Sequence, residues 1–311
     1  PIITAPTPDV AGSEACVHLP ILFRPRPRRA LIISGGVGGV LYELLKYDSI
    51  VRIDYAELDP LLIEMVQRYP TSLTAAELGD PRVRVRSIDG RLYVRQLVQN
   101  RAEDAQRYDL IFLNLPYPST LLINRYYTRE FFALARQILT PDGILVVGMP
   151  GSTSYLGDEV RDLNASLRVT LQAIFPRVRV IVGDRNLWLA STTDLGDIPL
   201  SELQERWQQA GESAAAITPD DLAYRFDPMR IDWFLSTLDR APSPAVNSDG
   251  HPRGLYQGLL YWNALLSPIW ARVLQTAGRL NLWTVVLPPL VLACVLAIWW
   301  RRRGSGVVLS V

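Results

Sequence analysis

The feature that most constrains this chain is a regular alternation of short apolar runs with stretches of helical spacing. It begins at residues 29–34 (RALIIS), which run straight into the glycines of residues 35–39. A strand covered on both faces reads as a continuous apolar run, because no side of it meets water. Residues 35–47 then carry Val40, Leu41, Leu44 and Leu45 at helical spacing. The pattern predicts further strands over 51–58, 83–88, 108–113 and 143–147, with helices over 60–69, 90–99 and 128–139 between them. Pro60 suits the first turn of its helix, where no amide hydrogen is needed. Two more strand-like runs, 178–182 and 187–191, flank the turn Gly183-Asp184-Arg185-Asn186 and predict a hairpin that gives the sheet an antiparallel edge. Strands alternating with helices at this spacing imply an α/β fold with a doubly wound, mostly parallel sheet.

Composition permits such a fold. The chain has 311 residues, 49% apolar and 20% charged, enough for a sizeable core. A net charge of +1 gives no global reason to expect nucleic acid as a partner. Two cysteines, Cys16 and Cys294, and two distant histidines, His18 and His251, make neither a disulfide framework nor a metal site. The expected organisation is an N-terminal segment over 1–28, a nucleoside-binding domain over 29–195, a helical extension over 196–279, a membrane helix over 280–300 and a tail over 301–311. Residues 280–300 hold no charge for 21 positions, with Trp283, Trp299 and Trp300 near the ends and Arg301, Arg302 and Arg303 as a stop. That length crosses a bilayer, and the tryptophans suit its interfaces; a buried core helix is the alternative. The arginines favour a cytoplasmic C-terminus, whereas nucleoside supply favours a cytoplasmic domain. The expectation is a membrane protein, single- or multi-pass, with the soluble domain cytoplasmic. Pro1 in place of Met and the uncapped apolar end read as a piece of a longer protein.

Candidate ligand groups fall where predicted strands end. Ser34-Gly35-Gly36-Val37-Gly38-Gly39 lets backbone approach a ligand. A dinucleotide fingerprint starting at Gly36 would need glycine where Leu41 stands, and no phosphate-loop Lys-Ser/Thr follows. Glu57 lies 19 residues after Gly38 at the end of the second strand, the place of an acid that binds both ribose hydroxyls. Asp59, before Pro60, reads as a helix cap. Asp89 and Gly90, after the third strand, are candidates for the adenine amine. Asn114-Leu115-Pro116-Tyr117-Pro118-Ser119-Thr120 follows the fourth strand and contains no carboxylate.

The runs SGGVGG, DYAELDP, DPRVRVRSIDGR, YDLIFLNLPYPST, YYTREFF and PDGILVV, in this order and spacing, resemble the spermidine/spermine synthase family over residues 14–191. Residues 14–20 (EACVHLP) look like its early Tyr-His-Glu helix, and residues 246–252 (VNSDGHP) like a segment of its membrane-fused branch. The resemblance implies a Rossmann-like sheet of the class I methyltransferase type. It implies decarboxylated S-adenosylmethionine, or a related adenosyl nucleoside, as co-substrate, a polyamine as acceptor and no metal. Gly36, Gly38, Gly39, Glu57, Asp89 and Gly90 would hold the nucleoside. Asn114 takes the position of the family's base, and Tyr117 and His18 positions against the acceptor. A lipid bilayer and a homodimer are the further partners implied.

Departures from the family pattern carry equal weight. Val37, Asn114 and Tyr117 stand where the family has aspartates, and Gly12 and Ser13 replace its Tyr-His pair. Polyamines are strings of ammonium groups, and burying them without carboxylate partners is costly. A neutral amine must also be generated before it attacks, and Asn114 cannot accept that proton; a missing base lowers a rate on the order of 10²–10⁴-fold. The residues therefore point to an aminopropyltransferase-like domain with an intact adenosine cradle and a weak or absent polyamine reaction. A nucleoside-binding regulatory module and an S-adenosylmethionine-dependent methyltransferase are the alternatives.

Overall fold

The computed structural model describes residues 9–100, 107–210, 216–242 and 244–266. Seven strands form one sheet: β1 (Arg29–Ile33), β2 (Arg52–Glu57), β3 (Val83–Ser87), β4 (Tyr108–Leu113), β5 (Leu139–Pro150), β6 (Arg177–Ile181) and β7 (Arg185–Ser191). Their order is β3-β2-β1-β4-β5-β7-β6. β1 to β5 pair in parallel, while β7 runs antiparallel to both β5 and β6. This is the Rossmann-like, methyltransferase-type sheet that the alternation implied. The hairpin differs in one respect from a simple edge: β7 inserts beside β5, so β6 is the outer strand. The insertion gives β7 partners on both sides, and its side chains are buried from Asn186 to Ser191.

The helices are α1 (Val10–Ile21), α2 (Val40–Leu45), α3 (Pro60–Arg68), α4 (Ser72–Gly79), α5 (Gly90–Gln99), α6 (Leu121–Asn124), α7 (Arg129–Ile138), α8 (Asp158–Gln172), α9 (Leu200–Ala210), α10 (Pro219–Arg225), α11 (Pro228–Leu238) and α12 (Arg253–Leu266). Successive strand residues face opposite ways, and the two faces build two cores. Leu31, Ile33, Ile111 and Leu113 pack under α5, α7, α8 and α11, against Val94, Phe131, Leu167 and Phe234. Ala30, Ile32, Leu110 and Phe112 pack under α1, α2, α9 and α10, against Val17, Leu44, Trp207 and Leu222. Each such fully buried large side chain contributes roughly 1.5–3 kcal/mol relative to exposure. β3, at one edge, instead alternates valine with Arg84 and Arg86, as suits a strand that borders water.

Helix signals were legible in sequence mainly where caps accompany them. Asp59 and Asp89 accept the Leu61 and Leu92 amides at 3.0 and 2.9 Å and start α3 and α5. Three helices lie outside the expected pattern, α4, the short α6 and α8. The stripe Val160, Leu163, Leu167 and Leu171 marks α8 in retrospect. α2 begins five residues later than its apolar spacing suggests, because Gly35, Gly38 and Gly39 have φ of 61°, 95° and 142° and cannot continue a helix.

The chain divides into two compact units, Pro1–Leu259 and Leu260–Val311. Among the described residues no helix is long and apolar enough to cross a membrane. The apolar segment 280–300 lies outside the described residues.

Candidate functional site

β1, β2, β4 and β5 all point their C-terminal ends at a cleft of about 1230 Å³. Ligands of open α/β sheets bind at this edge, where the strand order reverses. Its walls come from the glycine turn after β1, Glu57, Gly90, residues 114–117, Tyr126, one face of α1 and the first residue of β7. The α1 face is Asp9, Gly12, Ser13 and Cys16, spaced as one side of a helix.

Glu57 closes β2 with its side chain in the cleft and is 2% exposed. Its Oε2 accepts from the Tyr55 hydroxyl at 2.7 Å, the Ser34 hydroxyl at 3.2 Å and the Gly35 amide at 3.4 Å. Oε1 accepts the Asp59 amide at 3.3 Å. Burial, and next the Glu57 charge, push the Tyr55 phenol far above its usual range. Ser34 itself sits at φ 60°, a left-handed conformation uncommon for a residue with a side chain and one that marks a functional turn.

The glycine turn is organised by a residue the sequence reading missed. Glu77, on α4 and fully buried, accepts the Gly38 and Gly39 amides at 2.9 and 2.7 Å and the Tyr42 amide at 3.2 Å. Burial pushes its carboxyl up, while the three amides oppose that shift. These amides are the donors that would cradle a phosphate in a dinucleotide enzyme. Here the chain's own carboxylate fills them, which removes the pyrophosphate reading more firmly than Leu41 does. Only the α4 fold-back brings Glu77 to the turn, so no local motif announces it.

The glycines have separate tasks. Gly38 lines the cleft with open space where a Cβ would stand. A Cβ on Gly90, also at the cleft wall, would lie 2.6 Å from Ile33. Gly36 and Gly39 are not wall residues: a Cβ on Gly36 would lie 2.8 Å from the Tyr55 ring, and one on Gly39 would strike Ser13. These two serve packing of the turn.

Asp89 differs from its expected place at the adenine. Its Oδ1 caps α5, and its Oδ2 pairs with Arg125 and accepts from the Tyr126 hydroxyl at 3.1 Å. Its neighbours Gly90 and Tyr126 form the wall instead. Burial and the Asp89 charge push the Tyr126 phenol up to about 12. His18, expected against the acceptor, is likewise elsewhere. It is 1% exposed on the far side of α1, with Nε2 at 2.8 Å from Glu43 and Nδ1 at 2.5 Å from the Tyr47 hydroxyl. Its ring meets Trp207 edge-on at 5.7 Å. It ties α1 to α2, because a residue two positions after Cys16 faces away from the wall that Cys16 lines.

Asn114 and Tyr117 do reach the cleft. The Asn114 amide nitrogen donates to the Gly35 carbonyl at 2.7 Å, and its oxygen accepts from an Arg185 nitrogen at 2.8 Å. The other carboxylates on the wall, Asp9 and Asp59, cap α1 and α3 through the Gly12 and Leu61 amides. Among the described residues no carboxylate hydrogen-bonds Asn114; a guanidinium does. Arg185 was read only as part of a turn. Because β7 is antiparallel, its first residue lies at the ligand edge, paired in register with Pro150 at the end of β5. That consequence of topology is the signal that would have found it.

Comparison with known proteins agrees with this geometry. The spermine/spermidine synthase domain matches residues 10–182. The chain belongs to the spermine/spermidine synthase family. Curated relatives include the polyamine aminopropyltransferase of Nitrosomonas europaea, 32% identical over 203 residues, covering 64% of this chain and 59% of that protein. That of Pyrobaculum calidifontis is 33% identical over 179 residues, 57% of each. The chain thus spans little more than half the length of these two relatives. Solved structures similar in fold include a spermidine synthase in complex with the transition-state analogue AdoDATO, at TM-score 0.58 and 23% identity over 73% of this chain and 76% of that one. The spermidine synthase of Thermotoga maritima has TM-score 0.56 and 22% identity, covering 74% and 75%.

Proposed function

We propose that this domain is an aminopropyltransferase-like transferase that binds an S-adenosylmethionine-type nucleoside, with its reaction on polyamines weak or absent. The observation that carries this reading is the contrast at the strand ends. Glu57 is presented to the cleft in the position of a ribose-binding acid, while Asn114 has an arginine for its neighbour and no carboxylate. Gly38 and Gly90 supply the close backbone approach for the nucleoside, and Tyr126 a flat wall. Tyr117 lines the acceptor side. The family relatives, named as polyamine aminopropyltransferases, support the reaction class. Spermidine synthases of the same fold support a decarboxylated S-adenosylmethionine or related co-substrate.

Calorimetry with methylthioadenosine tests the nucleoside half. The expected result is saturable binding to the wild-type chain and a drop on the order of a hundredfold in Glu57→Ala. A carboxylate accepting two ribose hydroxyls contributes about 1.5–3 kcal/mol per bond before compensation. Purified protein given putrescine and the decarboxylated donor tests the other half, and a robust spermidine yield overturns it. A non-catalytic nucleoside module is the second reading, favoured by the absence of a base at Asn114; any turnover of a bound adenosyl donor rejects it. We also propose that residues 280–300 anchor the domain in a bilayer, with the domain on the cytoplasmic side, as in a membrane-fused branch of the family. Recovery of the protein in a salt-washed membrane fraction is the expected result.

A further inference from the structure

The nucleoside reading leaves Arg185 unexplained. Its guanidinium hydrogen-bonds to Asn114 at 2.8 Å and lies against the β5 backbone at Gly148, where a Cβ would run into it. Its charge is felt by two buried groups, the Cys16 thiol on the α1 wall and the Tyr127 phenol behind the wall. Among the described residues no carboxylate forms an ion pair with it, although seventeen such contacts are made there by other arginines, a lysine and a histidine. It remains solvent-open at the cleft. The structure therefore holds a positioned cation, anchored by one hydrogen bond to Asn114 and with no other side-chain hydrogen bond among the described residues. It stands where the acceptor side of the cleft meets the turn after β1.

Resting on the nucleoside reading, we propose that Arg185 binds a carboxylate of the small-molecule ligand, so that the cleft takes an amino-acid ligand in preference to the bare amine. Arginine suits this task because its planar fork offers parallel N–H donors to both oxygens of a carboxylate. An ammonium drawn to the same place meets the opposite sign. At about 5 Å and an effective dielectric of about 20, that repulsion disfavours it on the order of a hundredfold. Asn114 and Val37, both uncharged, add no opposing attraction. The carboxylate has two possible sources. One is the donor, an adenosyl nucleoside that retains its α-carboxylate. The other is the acceptor, an α-amino acid in place of a diamine.

Matched ligand pairs that differ only in that group separate the sources. In the donor arm, S-adenosylmethionine and its decarboxylated form are titrated by calorimetry into the full chain. In the acceptor arm, ornithine and putrescine are titrated in the presence of saturating methylthioadenosine. In at least one arm the carboxylate ligand is expected to bind about tenfold or more tightly than its partner. That ratio should fall towards one in Arg185→Gln and keep its direction, reduced, in Arg185→Lys. The wild-type ratio decides the matter even where a variant fails to fold. Equal binding within both pairs, or tighter binding of the amines, overturns the proposal while methylthioadenosine binding leaves the nucleoside reading standing. Failure of methylthioadenosine to bind overturns both.

Discussion

The two halves of the cleft are built from the same kind of strand end and carry opposite charge logic. On the β1–β2 side, two buried acids, Glu57 and Glu77, each gather two donors from the turn after β1. On the β4–β5–β7 side, the corresponding places hold an amide, a phenol and a guanidinium. The first half keeps an acid available to neutral hydroxyls and fills its own anion-binding amides. In the second, no carboxylate among the described residues hydrogen-bonds Asn114. On the proposed reading, a cradle for one ligand is kept while its partner site is rebuilt, because each half depends on different strand ends.

Reversing the second half gives the largest expected effect. Asn114→Asp alone should yield little polyamine turnover, since Arg185 stands at hydrogen-bond distance and would pair with the new carboxylate. Asn114→Asp with Arg185→Gln frees that carboxylate to act as a base, and putrescine turnover should rise on the order of 10²–10⁴-fold over wild type. Equal rates for the single and double variants would break the contrast between the halves.

Disabling the first half is next. Glu77→Ala leaves two amides of the glycine turn and the Tyr42 amide of α2 without their acceptor, at a cost of about 2–3 kcal/mol in urea unfolding. Nucleoside affinity should weaken with it. Glu77→Gln, which keeps one acceptor oxygen, should lose less.

The smallest effect concerns a pair outside the contrast. Arg91 binds Asp249 at 2.8 and 2.5 Å, and this hydrogen bonding, despite some burial, holds the Asp249 carboxyl below its usual range. A depressed native pKa stabilises above the unfolded carboxylate value and is lost as pH falls through the native one. Asp249→Asn should therefore lower the melting temperature modestly at neutral pH and little at the acid end. Because the Asp249 side chain is 44% exposed, solvent screening keeps the effect small.

Much of the site was legible because its residues follow strands directly. Glu57 and Asn114 need only the strand ends to be placed, and the apolar runs marked those ends well. Asp89 follows β3 as the sequence implied, yet its oxygens are taken by the Leu92 amide of its own helix and by Arg125 and Tyr126, neighbours supplied by another loop. His18 failed for a rotational reason: helix phase, set by packing against α2, turned it from the cleft. Glu77 and Arg185 were illegible as ligand-site residues. One arrives through a helix that returns to the glycine turn, the other through a strand whose direction reverses its ends.

Local apolar patterning by itself determined the alternating α/β architecture and the line of residues at the parallel strand ends, since burial on both sheet faces demands those runs, while the order of motifs along residues 14–191 carried the family resemblance. Tertiary structure alone decided which acid fills the amides of the glycine turn and which cation meets Asn114. Those choices are contacts between residues 35–39 and 71 positions apart, and their energies depend on distance in space, which no local pattern encodes.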